Sequence, residues 1–361
     1  MRVSLDARLA GYPGIGRFIV GLWGGLLELG AELTVLWPSY AVTDWLGHHG
    51  PEPIGPTRPI WARPFRIAEQ VAVPWALRRA GVSVHHSPHL TLPYLSRVPV
   101  VLTVHDLFPY RDPRNARSSA AAAYYRWFMP RAVRAAAVVV ADSHYTANEL
   151  QSVLEVPDER IRVVELGLDQ AFWRRPPEED IERTLVRLGV PRPYLLYVGT
   201  AKRHKNLATL IAAHGPDLPL LVLAGPTAEE LHQFAPRAEG ATNVRVLGRV
   251  PDPVLPALYS GAIAVALPSL YEAVGLTALE AMACGTPVVS SDGGGLPETV
   301  GDAGIMVPPA DVSAWSETLR RVVAEPDLRQ RAVEAGFARV RPRSWMSTAE
   351  QYLDVYRSVL T

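Results

Sequence analysis

The chain reads as an α/β protein made of two Rossmann-like units, each a parallel sheet crossed by helices. Three observations predict this. Apolar runs of strand length alternate with helical patterns along nearly all of the 361 residues, which is the pattern of a parallel sheet. Glycine or polar turns follow those runs directly. In LGLDQAFWRRPPEED (166–180) the periodicity lapses and then restarts, so the chain divides in two, as its length also suggests.

In order, Arg2 to Leu5 is the first expected strand, followed by GYPGIGRF with Gly11, Gly14 and Gly16. An amphipathic helix then runs from about Arg17 to Leu29. A helix entered from a glycine-rich loop offers backbone N–H groups and a positive dipole end to an anion; a plain strand-to-helix turn explains the same glycines. Ala31 to Trp37 is the second strand, and the Pro-, Gly- and Trp-rich stretch to about Arg63 reads as loop. A short helix around Ile67 to Ala80 leads to an extended Val82 to Val84. Val98 to Val104 is a buried strand ending at His105-Asp106, where open α/β sheets place ligands. A histidine that caps or packs locally is the alternative.

From Arg111 to Arg134 come Arg111, Arg114, Arg117, Arg126, Arg131 and Arg134 against one acid, Asp112, with Tyr124, Tyr125, Trp127 and Phe128 interleaved. This suits either a basic, aromatic surface for an anionic acceptor or lipid headgroups, or a helix with a solvated arginine face and a buried aromatic face. The second is the simpler expectation. Ala135 to Ser143 is a strand, and Ser143 or Thr146 caps the next helix, Glu149 standing at capping-box distance from Thr146. Ile161 to Val164 ends this half, and 166–180 reads as linker.

The second half opens with the strand YLLYVGT (194–200), the loop AKRHKN and a helix from Leu207 to Ala213. LPLLVLAG and NVRVLGRV are strands, and AIAVALPS leads into SLYEAVGLTALEAMACGTPVV (269–289). There a loop holds Glu272, a short helix carries Glu280, Gly285 stops the helix and Pro287 opens a new strand. Gly304 to Val307, helices from Ala314 to Ala324 and to Arg339, and a last amphipathic helix in SWMSTAEQYLDVYRSVL complete the chain.

Thirty-six basic and 36 acidic residues leave no net charge, which argues against a general nucleic-acid binder. Cys284 is the single cysteine, so no intrachain disulfide forms. No secretory leader is apparent at MRVSLDARLAG, and no run reaches the ~18 apolar residues of a membrane span. A cytoplasmic protein is expected, with peripheral contact at the inner membrane face compatible with that. Only Lys202 and Lys205 are lysines among the 36 basic residues, which points to a local demand for positive charge there.

In the second half the polar signals collect at strand ends: Gly199 to Lys205, Gly225-Pro226, Gly248-Arg249, Glu272 to Glu280 and Gly293 to Glu298. Parallel strands bring these turns to one edge. Lysines and helix N-termini neutralise phosphate, and carboxylates accept paired hydrogen bonds from sugar diols. The ligand this suits is a diphosphate flanked by hydroxyl-rich rings. Eight helical steps from Glu272 to Glu280 would span about 12 Å, near the reach between the two rings of a nucleotide sugar.

The Glu-x7-Glu stretch, the YVGT…HKNL loop, the GGGLPE turn, GIGR, VLTVHDLFP and SW…AEQYLDVY together resemble the family-4 retaining glycosyltransferases of the GT-B fold. That resemblance implies two Rossmann-like domains facing across a cleft: an acceptor domain at 1–172, a donor domain at 173–344, and a helix at 345–361 that packs back on the first. It implies transfer of a hexose from a nucleotide-diphospho-sugar, of GDP-mannose or UDP-hexose type, to a hydroxyl of a glycan, lipid or small molecule, as in cell-envelope or polysaccharide biosynthesis. The nucleotide sugar is a co-substrate, with no essential cofactor or metal; no D-x-D cluster occurs in a loop.

By the same resemblance, Glu272, His105 and Lys205 carry the chemistry. Glu272 and His105 meet the donor sugar, and Lys205 with Lys202 or Arg203 neutralises the leaving diphosphate. Ala273, Val274, Gly275 and Leu276 lie near sugar and phosphate, and Glu280 binds the ribose diol. Val250, beside Arg249, meets the base; Gly199 and Thr200 line the donor loop, and Gly16 approaches the phosphates. Tyr12, Gly14, Asp106 and Arg111 are acceptor-side candidates. Ala273-Val274 replace the usual Gly-Phe, Thr277 a frequent Pro, His204 an Arg and Thr200 an Arg found in some members, which leaves the donor open. A phosphorylase or epimerase on the same scaffold, or a catalytically weak nucleotide-sugar-binding subunit, are the competing functions.

Overall fold

The computed structural model describes the chain except residues 13, 41–51, 54, 116–117, 239–240, 242 and 361. Pro13 of GYPGIGRF, part of the loop read up to Arg63, and Arg117 therefore lie outside the described residues. Two compact units form, Met1–Gly167 with Arg343–Thr361, and Leu168–Pro342.

The first unit holds seven strands: β1 (Arg2–Asp6), β2 (Glu32–Pro38), β3 (Thr57–Ile60), β4 (Val84–Ser87), β5 (Val100–Val104), β6 (Val138–Ala141) and β7 (Ile161–Val163). They pair in the order β3-β2-β1-β4-β5-β6-β7, every pairing parallel. Runs such as VVLTV and VVVA are buried along their whole length, as a sheet covered on both faces demands. The direction of strand addition reverses between β1 and β4, which makes that junction the switch point of the sheet.

The helix Trp345–Ser358 belongs to this unit and lies on the helix Ile15–Glu28. A Cβ on Gly21 would overlap the Trp345 ring and one on Gly25 the Trp345 carbonyl, so the glycines let the second helix lie directly on the backbone of the first. Tyr352 donates to or accepts from Thr103 Oγ1 at 2.8 Å, and Tyr356 Oη sits 2.8 Å from His86 Nδ1. Burial pushes His85 down to about 4 and His86 well below its ordinary value, so both stay neutral in the core.

The second unit holds six parallel strands: β8 (Tyr194–Val198), β9 (Leu220–Ala224), β10 (Val244–Gly248), β11 (Ala264–Leu267), β12 (Val288–Ser291) and β13 (Gly304–Val307). Their order is β10-β9-β8-β11-β12-β13, with the switch point between β8 and β11. Trp315, Leu319 and Val322 of the helix Val312–Ala324 seal one side of its core.

Three local expectations change and one open alternative is decided. Thr57–Ile60 is a strand, not loop; as an edge strand it pairs only with β2, which tolerates Pro59. The expected extended segment 82–84 becomes a strand at 84–87, because two buried histidines masked its apolar run. Glu178–Leu188, within and beyond the stretch read as linker, is a helix whose acidic first turn and Gly189 end are favourable and whose buried anchors include Ile181 and Leu185. Ser143, not Thr146, caps the helix His144–Leu154, its Oγ accepting from Thr146 N at 3.1 Å.

Candidate active site

The loops after β8, β11 and β12 build the centre of the second unit. Gly293, Gly294 and Gly295 follow β12, and a Cβ on any of them would overlap the backbone of Ser269 to Ala273. Three consecutive glycines let the two loops lie backbone against backbone, and Gly295 N donates to Glu272 O at 2.6 Å. Ser291 Oγ donates to Ser269 O, and Thr299 Oγ1 to Val274 O. On the other side Leu270 N donates to His204 O at 2.7 Å and Asn206 Nδ2 to Pro268 O at 3.0 Å. The loop carrying Glu272 is thus held from both flanks.

Within that frame Lys205 Nζ is paired with Glu272 Oε1, which also accepts from Ser269 Oγ at 2.9 Å. The two groups meet at the C-terminal end of β8 and β11, the switch point of the sheet. Lys202, Arg203 and His204 share the loop. Burial, with Lys205 beside it, pushes His204 down to about 4, so it adds no charge at neutral pH. Gly199 is tied to Ala224 O at 2.9 Å, and Thr200 O accepts from Tyr197 Oη at 2.5 Å. Gly225 N donates to Gly248 O at 2.6 Å, bringing the turn before Arg249 and Val250 to the same edge.

Gly275, at φ +81°, turns the chain into the helix Leu276–Ala283. Only four of the eight steps from Glu272 to Glu280 are therefore helical, so the 12 Å expected of a continuous helix does not apply. Glu280 is buried and accepts from Tyr259 Oη at 2.8 Å, a hydrogen bond that fixes the carboxylate. Ala273, Val274 and Leu276 lie on the same loop and helix start, with Val274 buried.

In the first unit, His105 follows β5. Its Nδ1 lies 2.5 Å from Asp142 Oδ2 and its Nε2 2.9 Å from Pro88 O. Both partners are acceptors, an arrangement that favours the protonated ring. Burial alone would lower its pKa; the Asp142 carboxylate overrides this and raises it. The ring packs edge-on against Phe18 at 4.9 Å. Asp106 is turned inward, its Oδ1 accepting from Phe108 N at 2.9 Å, and burial raises its pKa. Arg111 pairs with Glu149, the residue expected in a capping box. Tyr12 is exposed, and a Cβ on Gly14 would meet open space. A Cβ on Gly16 would overlap Ala10 O, so its missing side chain serves packing inside the unit.

Sequence reasoning missed Asp142 and Tyr259, which hold His105 and Glu280, and the buried cluster Asp6–Arg8–Glu69. Arg8 Nη2 lies 2.6 Å from Asp6 Oδ2 and 3.1 Å from Glu69 Oε2 at the switch point of the first sheet. Burial pushes Glu69 up to about 7. The Asp-x-Arg that starts on the last residue of β1 was the available signal.

The Glycosyltransferase Family 4 model matches residues 12–172, and the Glycosyl transferases group 1 model residues 180–339. The chain is 30% identical over 311 residues to O-antigen chain mannosyltransferase B of Escherichia coli, covering 83% of this chain and 81% of that protein. It is 34% identical over 286 residues to alpha-maltose-1-phosphate synthase of Mycolicibacterium smegmatis, covering 73% of each. The crystal structure of Anabaena HepE in complex with UDP-glucose shares the fold at a TM-score of 0.76 and 18% identity, over 99% of this chain and 100% of that one. With both halves matched in order, and with glycine-built loops closing on a lysine–glutamate pair at the second switch point, the chain belongs to the family-4, group 1 glycosyltransferases of the GT-B fold.

Proposed function

We propose that this glycosyltransferase moves a hexosyl group from a nucleotide-diphospho-sugar, of GDP-mannose or UDP-hexose type, to a hydroxyl of a glycan, lipid or small-molecule acceptor, with retention and without an essential metal. The observation that carries this reading is the Lys205–Glu272 pair at the second switch point. An ammonium and a carboxylate that hold each other there are ready to be exchanged for the two halves of a donor. The diphosphate takes Lys205, and the sugar hydroxyls take Glu272. The mannosyltransferase relative and the UDP-glucose complex of the structural neighbour support a nucleotide sugar as donor.

In the reaction the acceptor oxygen attacks the anomeric carbon on the face from which the diphosphate departs. The C–O bond to the diphosphate breaks, and a leaving phosphate oxygen takes the acceptor proton. Lys205, with Lys202 and Arg203, stabilises the charge that grows on the diphosphate, the role a metal plays elsewhere. Glu280, fixed by Tyr259, binds the ribose diol, and Gly199, Thr200, Arg249 and Val250 border the nucleotide. His105 offers a hydrogen bond to the sugar from Nε2 only by giving up Pro88 O. Tyr12, Gly14, Asp106 and Arg111 are assigned to the acceptor side.

A thermal-shift panel of nucleotide sugars identifies the donor, since a ligand raises the melting point by mass action. With that donor, a new glycoside and free nucleotide diphosphate are the expected products. Glu272→Ala and Lys205→Ala should each lower kcat/KM by roughly 10²–10³. Transfer at the wild-type rate by either variant sinks the assignment.

A further inference from the structure

The arginine- and aromatic-rich part of the first unit is left unused by the donor chemistry. Its two helices, Glu69–Ala80 and Ser119–Ala135, lie on one face of the sheet, as right-handed crossovers require. The loop after β4 runs between them: Tyr94 N donates to Gln70 Oε1 at 2.8 Å and Tyr94 Oη to Phe128 O at 3.4 Å. Inward, Val73, Leu77, Met129 and Val133 enter the core.

Outward, the same elements present large apolar side chains to solvent. Ile67 is 91% exposed, Leu95 66%, Trp75 58% and Trp127 57%, with Val71 and Phe128 beside them. Buried aromatic residues were expected on the second helix; Trp127 and Phe128 instead point outward. Six such side chains on one face are not the scattered singles of an ordinary surface.

The charge of this face is one-sided. Residues 57–104 hold six arginines and one acid, Glu69, which is buried against Arg8. Residues 118–141 hold Arg126, Arg131 and Arg134 and no acid. The guanidinium of Arg79 lies 4.4 Å from the Trp75 ring centroid, and that of Arg131 lies 5.6 Å from Trp127. In a chain with no net charge, the ionised side chains that these two stretches leave exposed are arginines. Two copies meeting through this face would set arginine against arginine.

We propose that this face docks on an anionic phospholipid bilayer, with Ile67, Trp75, Leu95 and Trp127 entering the interface and the arginines pairing with headgroup phosphates. Indoles partition to the headgroup level, and guanidinium groups grip phosphate with two hydrogen bonds at once. No helix among the described residues is long and apolar enough to cross a membrane, so the contact is peripheral. The proposal concerns the first unit alone and stands whether or not the donor reading holds.

Co-sedimentation with vesicles of phosphatidylglycerol and phosphatidylcholine tests it. The full chain should sediment with the mixed vesicles, far less with pure phosphatidylcholine, and less as salt rises. Trp75→Glu/Trp127→Glu and Arg78→Ala/Arg79→Ala should each weaken partition roughly tenfold or more, with melting point and nucleotide-sugar binding unchanged. Wild-type sedimentation by both variants overturns the proposal, as does the absence of any binding to anionic vesicles. A dimer seen by light scattering that the same substitutions dissociate would overturn it in favour of a second copy of the chain.

Discussion

At the switch point of the second unit, Lys205 and Glu272 keep about a fifth of their side-chain surface open, 22% and 18%. At the corresponding place in the first unit, Arg8, Asp6 and Glu69 are sealed at 0%, 2% and 4%. The sheets are alike, so the difference lies in what the charges are for. A partly solvated pair costs little to part, because water takes up each half. A sealed cluster cannot be opened without stranding charge in a low-dielectric interior. The second unit leaves its ion pair open to exchange, as the proposed donor site requires, whereas the first uses its ions to fix loops: Arg8 Nη1 donates to Ala62 O at 3.1 Å, and Thr91 Oγ1 to Asp6 Oδ2 at 3.2 Å.

That contrast can be broken most directly by removing one cation from each place. Arg8→Ala should lower unfolding free energy by about 3–5 kcal/mol, because two carboxylates remain buried without their partner. Lys205→Ala should cost less than about 1 kcal/mol in the same urea titration while abolishing most transfer. Equal losses of stability would erase the distinction. Next in size is Gly294→Ala, whose Cβ would overlap the Glu272 backbone and whose φ is +66°. About 1–3 kcal/mol of stability should go with it, together with activity, since the loop holding Glu272 must shift. Retention of both would mean that the glycine turn does not set that loop.

The smallest effect concerns His105. Its pKa is raised above 6.5 by Asp142, so the pair's contribution is whole below about pH 6.5 and is lost as pH climbs through the raised value. Asp142→Asn should drop the ring's pKa in an NMR titration, because burial then acts unopposed. The stability gap between wild type and variant should narrow as pH rises. A gap that widens with pH would show the ring to be neutral in the fold.

Much of the second unit was legible because its site is written in residues with few other uses. Consecutive glycines, a lysine pair in an arginine-rich chain, and glutamates around a helix start all fall at strand ends. What could not be read was who partners whom: Lys205 and Glu272 are 67 positions apart, and nothing local says that their side chains meet. In the first unit the partners are likewise distant, with Asp6 joined to Thr91, 85 positions on, and Arg8 to Glu69, 61 positions on, across separate loops. Buried there, an acid looks the same in sequence as a solvated one. The helix Glu178–Leu188 was hidden for a different reason: its Ile181 and Leu185 stand at helical spacing, but the Arg-, Pro- and acid-rich run that leads into it reads as linker.

The contact between Gly167 and Trp345 has a consequence for how the molecule is made. A Cβ on Gly167 would overlap the Trp345 backbone, so the chain leaves the first unit and re-enters it at one spot. The second unit is a 168–342 parenthesis inside the first. On the ribosome, the helix that brings Tyr352 and Tyr356 to Thr103 and His86 emerges only after the whole second unit. The core of the first unit therefore lacks this helix until residues 168–342 have been made, although most of that unit precedes them in the chain.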